Sequence, residues 1–338
     1  MILFSFLYNK GLFLADFSFL LIVAGILYVY SNFLESNFKS IYMVKEKTYI
    51  QNNFKMKATL IKFLSIIFLY YFDLINVNIF ILLNVFVFLF PVILMVRNLK
   101  FSFKFTIDKK LISSQLRYGF ILYLSSAMIF LTYKVDQFMV EGYLGMSQLG
   151  VYSIGVQLAE LVFIIPHSII IPLRGKLFNM NNNSIEEREV ITTTTTKLTM
   201  YVCSFLVIIG LILSPIIPFV YGKEFQGAIV VTIVLFIGVI FASIAKVAAN
   251  FFYTEGITKI HLLITFIVLL INVALNWALI PLIGINGAAI SSTIAYFFYG
   301  VLYIIIFVKR GNVKFKDFIL LNKKDYSIVK SYVMKIKK

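Results

Sequence analysis

The chain has 338 residues, of which 61% are hydrophobic and 14% are charged, with a mean hydropathy of +0.94. Soluble domains carry about 25% charged residues, so this composition excludes an ordinary soluble domain and predicts a membrane protein with several spans. The single Cys203 and the two histidines, His167 and His261, leave no residues within this chain for a disulfide, a cysteine metal site or a histidine cluster.

Nine apolar runs predict membrane helices. They lie at approximately 11–33, 56–72, 76–96, 116–133, 150–172, 195–220, 226–253, 260–281 and 285–308. A bilayer core about 30 Å thick requires about 20 helical residues, and the second run is the weakest because it is short and contains Lys62. The sequence therefore predicts an all-α polytopic membrane protein with about nine transmembrane helices.

Lysine and arginine are concentrated in alternate segments between these runs. Most of them lie in the segments 33–57, 97–117 and 174–188 and in the tail 309–338, and Lys259 follows the seventh run. The other segments hold one basic residue or none. Because cytoplasmic segments carry the excess of basic residues, this pattern places the rich segments in the cytoplasm. The net charge of +16 then reports topology and attraction to anionic membrane lipid, and no nucleic-acid partner is expected.

Polar side chains recur on one face of the predicted fifth span. Plotted at 100° per residue, an arc of about 80° holds Ser153, Gln157, Glu160 and His167, and Arg174 extends it. A charged residue near the bilayer centre costs about 2.5–3.5 kcal/mol, so we expect Glu160 to face protein or a wet cavity. Both a cavity-lining stripe and a polar contact between helices fit this pattern.

Other predicted spans carry similar candidates, each with two interpretations. Lys246 shares an arc with Asn250 in the seventh span, where it either lines a wet interior face or extends to the headgroups. Asn272 and Asn276 align in the eighth span and either bind neighbouring helices together or line a cavity. Arg117 opens the fourth span, where a basic residue can also serve as a cytoplasmic anchor.

The segment between the fourth and fifth runs is polar and contains Lys134, Asp136 and Glu141. Its length and composition predict a connector on the outer side of the membrane. We expect Asp136 to lie at the outer interface, in a local ion pair with Lys134.

Several motifs resemble those of one transporter family. They are R-Y-G at 117–119, K-V-D-Q-F-M-V-E-G-Y-L at 134–144, L-G-V-Y-S-I-G-V-Q-L-A-E at 149–160, P-L-R at 172–174, Y-G-K-E-F-Q-G-A at 221–228, F-Y-T-E-G-I-T-K at 252–259 and P-L-I-G-I-N-G-A-A at 281–289. In this order and spacing, over roughly residues 11–310, they resemble polysaccharide-transport proteins, the O-antigen flippases. That family belongs to the superfamily of multidrug/oligosaccharidyl-lipid/polysaccharide exporters.

The resemblance implies two lobes of six helices, of which the first is incomplete here. We expect a partial N-terminal lobe at 1–97, a cytoplasmic linker at 98–115, a complete six-helix lobe at 116–310 and a basic cytoplasmic tail at 311–338. The odd number of spans and the lack of a signal peptide lead us to expect three further spans before Met1. The layout of the first three spans recurs in the last three, which supports two lobes.

The resemblance also implies a function. A polyprenyl-pyrophosphate-linked oligosaccharide is moved from the cytoplasmic to the outer leaflet of the cytoplasmic (inner) membrane, for synthesis of a surface polysaccharide such as O-antigen or capsule. The expected cavity residues are Arg117, Lys246 and Arg174 for the pyrophosphate, and Gln157, Glu160, Asn250, Asn272 and Asn276 for hydrogen bonds. Glu160 is the expected site of coupling to a proton or a sodium ion.

No catalytic residue, cofactor or metal is expected, so the prediction is a transporter and not an enzyme. Its expected partners are the lipid-linked oligosaccharide, membrane lipid, a polysaccharide polymerase and chain-length proteins. Three alternatives stay open: a cation-coupled drug exporter of the same superfamily, a membrane oligosaccharide polymerase, and an inactive truncated remnant. The polymerase fits less well, because such enzymes carry long outer loops and the outer segments here are short.

Overall fold

The computed structural model describes residues 19–74, 77–99, 108–180, 185–310, 313–322 and 325, with only the backbone of residues 19–22 and 77–78. The start of the predicted first span, residues 100–107 of the predicted linker and most of the predicted tail lie outside these ranges. All regular secondary structure in the described ranges is helical. By internal contacts the chain divides into two compact units, Met1–Thr106 and Ile107–Lys338.

The described part of the first unit contains three long helices, namely α1 (Phe19–Val44), α2 (Thr48–Tyr71) and α3 (Val77–Leu99). Both α1 and α2 pack against α3. Lys62, which weakens the predicted second span, donates from its Nζ to Asn84 Oδ1 of α3 at 2.6 Å. A polar partner on the neighbouring helix thus offsets the cost of placing this ammonium among apolar side chains.

The second unit contains the remaining helices. They are α4 (Lys109–Glu160), α5 (Ile164–Asn179), α6 (Ile185–Leu213), α7 (Ile217–Tyr221), α8 (Ala228–Thr254), α9 (Thr258–Ile283), α10 (Ile285–Lys309) and α11 (Phe315–Ile319). Three 3₁₀ turns, Leu161–Phe163, Ser214–Ile216 and Lys223–Phe225, join some of them. The described helix α8 lies at the centre and packs against α4, α5, α6 and α10.

Small residues bring α8 and α10 unusually close together. A Cβ added to Gly300 of α10 would lie 2.6 Å from the backbone oxygen of Phe241 in α8. A Cβ on Gly238 of α8 would lie 2.8 Å from the Cα of Thr293 in α10. Close backbone approach at small residues is a common way for membrane helices to associate, because it maximises van der Waals contact.

The predicted connector between the fourth and fifth spans is helical over most of its length. Helix α4 continues through it and breaks only at Gly145, where φ is 81° and ψ is 174°. Thr132, Asp136 and Val140 recur every four residues and are all buried, so this polar segment has a helical face that contacts the protein core. The turn occurs at Gly145 because glycine tolerates a positive φ without the steric cost of a Cβ.

The predicted fifth span consists of two helical pieces. Helix α4 ends at Glu160, and the 3₁₀ turn Leu161–Phe163 leads into α5. Pro166 lies near the start of α5 and cannot donate a backbone hydrogen bond, which leaves the carbonyl of Val162 without its usual helical partner. Glu160 therefore lies at the end of a helix, directly before this turn.

Six helical segments of the described chain are long and apolar enough to cross a membrane. They are Ile79–Leu99, Lys109–Asn179, Ile185–Tyr221, Ala228–Thr254, Thr258–Ile283 and Ile285–Lys309. The second of these has 71 residues and contains the predicted fourth and fifth spans on either side of Gly145. The chain is thus an all-helical polytopic membrane protein, as its sequence predicts.

Candidate functional site

The structure distributes the predicted site residues over several places in the second unit. The groups are Asn272 with Asn276, Arg174 with Asn250, Lys246 with Glu160, and Arg117 and Gln157 each in separate surroundings.

Asn272 and Asn276 belong to a fully buried chain of hydrogen bonds that joins α4, α9 and α10. Asn276 Nδ2 donates to Asn272 Oδ1 at 3.0 Å, and Asn272 Nδ2 donates to Ser292 Oγ at 3.2 Å. Ser292 Oγ donates to Asp136 Oδ2 at 2.9 Å, and the Tyr152 hydroxyl donates to the same oxygen at 2.6 Å. These five side chains form what we call the aspartate network.

The aspartate network contains a carboxylate without a cation. Asp136 is 1% exposed and makes no ion pair with any described residue. Asn276 Oδ1 is also buried and has no hydrogen-bond partner in the described part of the chain. Burial without a counter-charge disfavours the ionised form of Asp136, although its oxygens accept hydrogen bonds from the Tyr152 and Ser292 hydroxyls and from the Gln137 N–H. A proton or a bound cation would stabilise this carboxyl group further.

The predicted ion pair of Asp136 with Lys134 at the outer interface is wrong. Residues two apart on a helix do not face each other, and α4 is helical through this segment. Asp136 therefore faces α10, where Ser292 contacts it, while Lys134 remains half-buried on another face. Asn272 and Asn276 are fully buried, and the hydrogen bond from Asn272 to Ser292 of α10 matches the interpretation of a polar contact between helices.

Arg174 and Asn250 form the second group, together with three aromatic side chains. Arg174 of α5 donates from Nε and Nη2 to Asn250 Oδ1 of α8, at 3.0 and 2.7 Å. Its guanidinium lies 5.1 Å from the centre of the Tyr253 ring, a distance suited to a cation–π contact. The Tyr253 hydroxyl lies 2.6 Å from His261 Nε2, and His261 Nδ1 contacts the Tyr303 hydroxyl. The Arg174 side chain thus connects α5 with α8 and, through Tyr253, with α9 and α10.

Lys246 lies among aromatic rings and does not pair with a carboxylate. Its Nζ is 4.6 Å from the centre of the Tyr133 ring and 4.3 Å from that of Phe163. Two ring faces at these distances stabilise an ammonium by cation–π attraction. Within the described residues Lys246 forms no ion pair closer than 4 Å.

Glu160 is half-buried at the end of α4 and makes no hydrogen bond or ion pair with the described residues. Lys134 and Lys246 are close enough to act on it electrostatically. The carboxylate therefore sits in a partly cationic environment while its oxygens remain free to bind a ligand. Gln157, one turn earlier in α4, is exposed.

Arg117 lies on the exposed side of α4, far along the helix from Glu160. It lines an open pocket of about 900 Å³ with Lys109 and Lys110 of α4 and Lys259 of α9. We call this the basic pocket. The predicted group of pyrophosphate-binding cations is thus divided, with Arg174 and Lys246 between helices and Arg117 at the helix start.

Comparison with known proteins decides the family. Residues 17–230 match a family model described as polysaccharide biosynthesis protein, which is more than half of the chain. The chain belongs to this family. No curated protein matches this chain.

Its fold also matches a solved transporter. The crystal structure of a mutant of the MATE transporter VcmN from Vibrio cholerae superposes with a TM-score of 0.72 over 91% of this chain and 74% of that chain. At 12% identity, this likeness concerns the fold alone. Family and fold together confirm the predicted membership in the exporter superfamily.

Asp136 is a buried carboxylate whose surroundings could not be predicted from the sequence. The sequence does indicate a helix here, since Thr132, Asp136 and Val140 are spaced four residues apart and so lie on one helical face. The polar composition of residues 134–149 concealed it, because a hydropathy pattern does not distinguish a connector from a helix with a buried polar contact. Its partner Ser292 is 156 residues away, so the contact itself could not be predicted from local periodicity.

Proposed function

We propose that this protein moves a polyprenyl-pyrophosphate-linked oligosaccharide from the cytoplasmic to the outer leaflet of the cytoplasmic membrane, for surface polysaccharide synthesis. The observation that carries the proposal is the match to a polysaccharide biosynthesis family in a chain with the fold of a membrane transporter. Family and fold are those of transporters, which supports movement of the substrate without a covalent step.

The second unit offers groups that suit this substrate. A pyrophosphate requires cations, and Arg174 and Lys246 hold their charges at half-buried positions without a carboxylate partner among the residues that the structure describes. Aromatic rings orient each of these two side chains by cation–π contact, which fixes the position of the positive charge without neutralising it. Glu160 adds a half-buried carboxylate on α4, whereas Asn250 is fully buried and its amide is engaged by Arg174 and by the backbone of its own helix.

We propose two carboxylates as the means of coupling transport to a proton or a sodium ion. Glu160, expected from the sequence, is half-buried with free oxygens, and its charge responds to Lys134 and Lys246. Asp136 is fully buried without a counter-charge in the described chain. Ionisable groups inside membrane segments commonly form ion pathways, and binding of a cation at either carboxylate would favour one conformation over another.

A second candidate function is cation-coupled export of drugs. The observation in its favour is the fold match to the MATE transporter VcmN. The family match to polysaccharide biosynthesis favours the lipid-linked substrate, so drug export is the alternative against which the proposal is tested.

The test uses the full chain reconstituted in proteoliposomes that contain a fluorescent polyprenyl-pyrophosphate oligosaccharide. Addition of a membrane-impermeant quencher reports the leaflet in which the sugar lies, with and without a proton or sodium gradient. We expect gradient-dependent movement of this lipid and no accumulation of ethidium in a parallel assay. Ethidium movement without lipid movement would establish the drug exporter instead.

A further inference from the structure

The basic pocket has the composition of a binding site, although the proposed transport function does not use most of its residues. Lys109, Lys110 and Arg117 come from the first turns of α4, and Lys259 comes from the start of α9. Its volume of about 900 Å³ is in the range of pockets that hold organic ligands and exceeds what a single inorganic ion requires.

The positive charge of the pocket is not neutralised by described side chains. None of its cations forms a hydrogen bond or an ion pair with them. Of the neighbouring acids, Asp108 caps α4 by accepting from the Lys110 backbone N–H at 2.9 Å. Glu255 pairs with Arg188 at 2.8 Å. Glu255 is thus paired with another cation, and the single charge of Asp108 leaves the four cations of the pocket with an excess of positive charge.

The remaining lining combines hydroxyl groups with apolar surface. Ser113, Ser114 and Thr258 supply hydroxyls, while Ile121 and Ile257 supply aliphatic surface. Phosphate oxygens accept charge-assisted hydrogen bonds from lysine and arginine, and hydroxyls add neutral donors. The apolar part suits a ligand that continues into a hydrocarbon chain.

The walls of the pocket are held in place by two features. The Tyr118 hydroxyl donates to the backbone oxygen of Tyr253 at 2.7 Å, which fixes the start of α4 against the end of α8. Gly256, in the turn between α8 and α9, has a φ of 72°, a conformation that favours glycine. The turn brings Lys259 to the side of the pocket opposite α4.

We propose that the basic pocket binds the phosphate groups of a membrane lipid. Two lipids share this chemistry: the pyrophosphate-linked oligosaccharide before its transport, which rests on the proposed function, and an anionic phospholipid. The charge pattern of the sequence places both connectors that form the pocket on the cytoplasmic side. That is the leaflet from which the proposed substrate is taken and the one whose anionic lipids attract basic segments.

The test measures lipid binding to the full chain in nanodiscs of phosphatidylcholine. Fluorescent polyprenyl pyrophosphate and fluorescent phosphatidylglycerol are titrated separately, with the uncharged polyprenol as reference. The variant K109Q/K110Q/R117Q/K259Q removes the pocket's charges. The matched control K45Q/K47Q/K57Q/R97Q removes as many exposed cations from the first unit. A variant that replaces the three pocket lysines by arginine retains the charge.

We expect the pocket variant to lose at least about tenfold in affinity for one of the phosphate lipids, while the control and the arginine variant bind as the unmodified protein does. Preference for the pyrophosphate would assign the pocket to the substrate, and equal binding at equal charge would assign it to anionic phospholipid. Unchanged binding by the pocket variant, or an equal loss in the control, would overturn the proposal.

Failure of this proposal is distinguishable from failure of the proposed function. Charge-dependent lipid binding without lipid movement in proteoliposomes would leave the pocket assigned and refute the transport function. Lipid movement that persists without charge-dependent binding at the pocket would refute the lipid site and support the transport function. A thermal midpoint close to that of the unmodified protein establishes that the pocket variant is folded before either comparison is made.

Discussion

Lys197 of α6 and Asp325 near the C-terminus form an ion pair with 2.5 Å between Nζ and Oδ2, although 128 residues separate them. Both side chains are almost completely buried, at 1% and 3% exposure. The Thr194 hydroxyl donates to the other carboxylate oxygen at 2.9 Å, and Lys197 also donates to the backbone oxygen of Leu320 at 2.7 Å. The described part of the tail is thus docked on α6 through buried polar contacts.

Breaking this pair should release the tail. We expect Lys197→Met to make the segment around Lys316 sensitive to trypsin and to lower the unfolding free energy by about 3–5 kcal/mol, because Asp325 would remain buried without its cation. Limited proteolysis and thermal denaturation of the purified protein measure both effects. Asp325→Leu added to Lys197→Met should recover part of the stability. Full trypsin resistance in Lys197→Met would show that the apolar contacts of Phe318 hold the tail without the pair.

Docking of the tail should depend on pH. Burial raises the pKa of Asp325, but hydrogen bonds from Lys197 Nζ, the Asn322 N–H and the Thr194 hydroxyl lower the pKa by more, so that it lies below its ordinary value. An aspartate in the unfolded chain titrates near about 3.9, so the stabilisation is complete well above that pH and is lost as pH falls through the depressed folded pKa.

Hydrogen exchange of the tail amides between pH 7 and pH 3, corrected for intrinsic rates, measures this dependence. We expect protection at neutral pH to fall only below about pH 4, and Asp325→Asn to show weaker protection without that acid transition. A transition centred near pH 6 would assign the effect to another group.

The coupling role of Glu160 is tested by conservative replacement. Glu160→Gln should abolish gradient-dependent transport at normal protein abundance, because the shape is retained and the charge is lost. Glu160→Asp should keep partial activity. If Glu160 serves only as a polar contact, glutamine will be tolerated and only an apolar residue will lower abundance. Transport and membrane protein level, measured on the same preparations, separate these outcomes.

Asp136 gives a second test in the aspartate network. Asp136→Asn retains an oxygen that accepts from Tyr152 and Ser292 and loses the hydrogen bond from the Gln137 N–H, so the fold should remain intact with a small loss of stability while a bound proton or cation loses its charge partner. We expect at least a tenfold loss of transport with a shift of the thermal midpoint of only a few degrees. The exposed Ser168→Ala in α5 is the control and should change neither quantity. Normal transport by Asp136→Asn would leave the network a purely structural one.

The helix break in α4 predicts opposite effects at two nearby glycines. Gly145→Ala should lower the unfolding free energy by about 1–3 kcal/mol, because alanine is strained at this backbone conformation. Gly142→Ala should raise it by up to about 1 kcal/mol, because Gly142 is helical and a Cβ there meets no atom within 4 Å. Thermal denaturation in the same detergent measures both. Destabilisation by both changes would place the constraint in packing and not in the Gly145 backbone.

The membrane orientation predicted from the basic residues is tested by cysteine labelling. Gln226→Cys should react with an impermeant maleimide in intact cells, whereas Lys314→Cys should react only after the membrane is permeabilised. Both positions are exposed, and the native Cys203 is buried, so the unmodified protein gives the background. Reaction of Lys314→Cys in intact cells would reverse the orientation.

Much of the second unit could be predicted from the sequence, because the helix lengths follow from apolar composition. The predicted spans 226–253, 260–281 and 285–308 differ from α8, α9 and α10 by two residues or fewer at each end. Apolar length is a local property, and each of these helices satisfies its backbone hydrogen bonds within itself.

The polar contacts between helices could not be predicted in the same way. Arg174 and Asn250 were both expected to line a cavity, but their direct hydrogen bonds join residues 76 positions apart. Helical periodicity identifies the face on which a side chain lies and not the helix that covers that face. Asp136 was misplaced for this reason, since its burial depends on α10.

Lys62 and Asn84 have a consequence for how the protein enters the membrane. Helix α2 is not among the described segments that are apolar enough to cross a bilayer, and the Lys62 ammonium is satisfied by Asn84 of α3. A lysine at the centre of a span opposes insertion by about 2.5–3.5 kcal/mol, so α2 alone would partition poorly from the translocation machinery into lipid. We therefore expect α2 to enter the bilayer only after α3 has been synthesised, so that the two helices insert together as a hairpin.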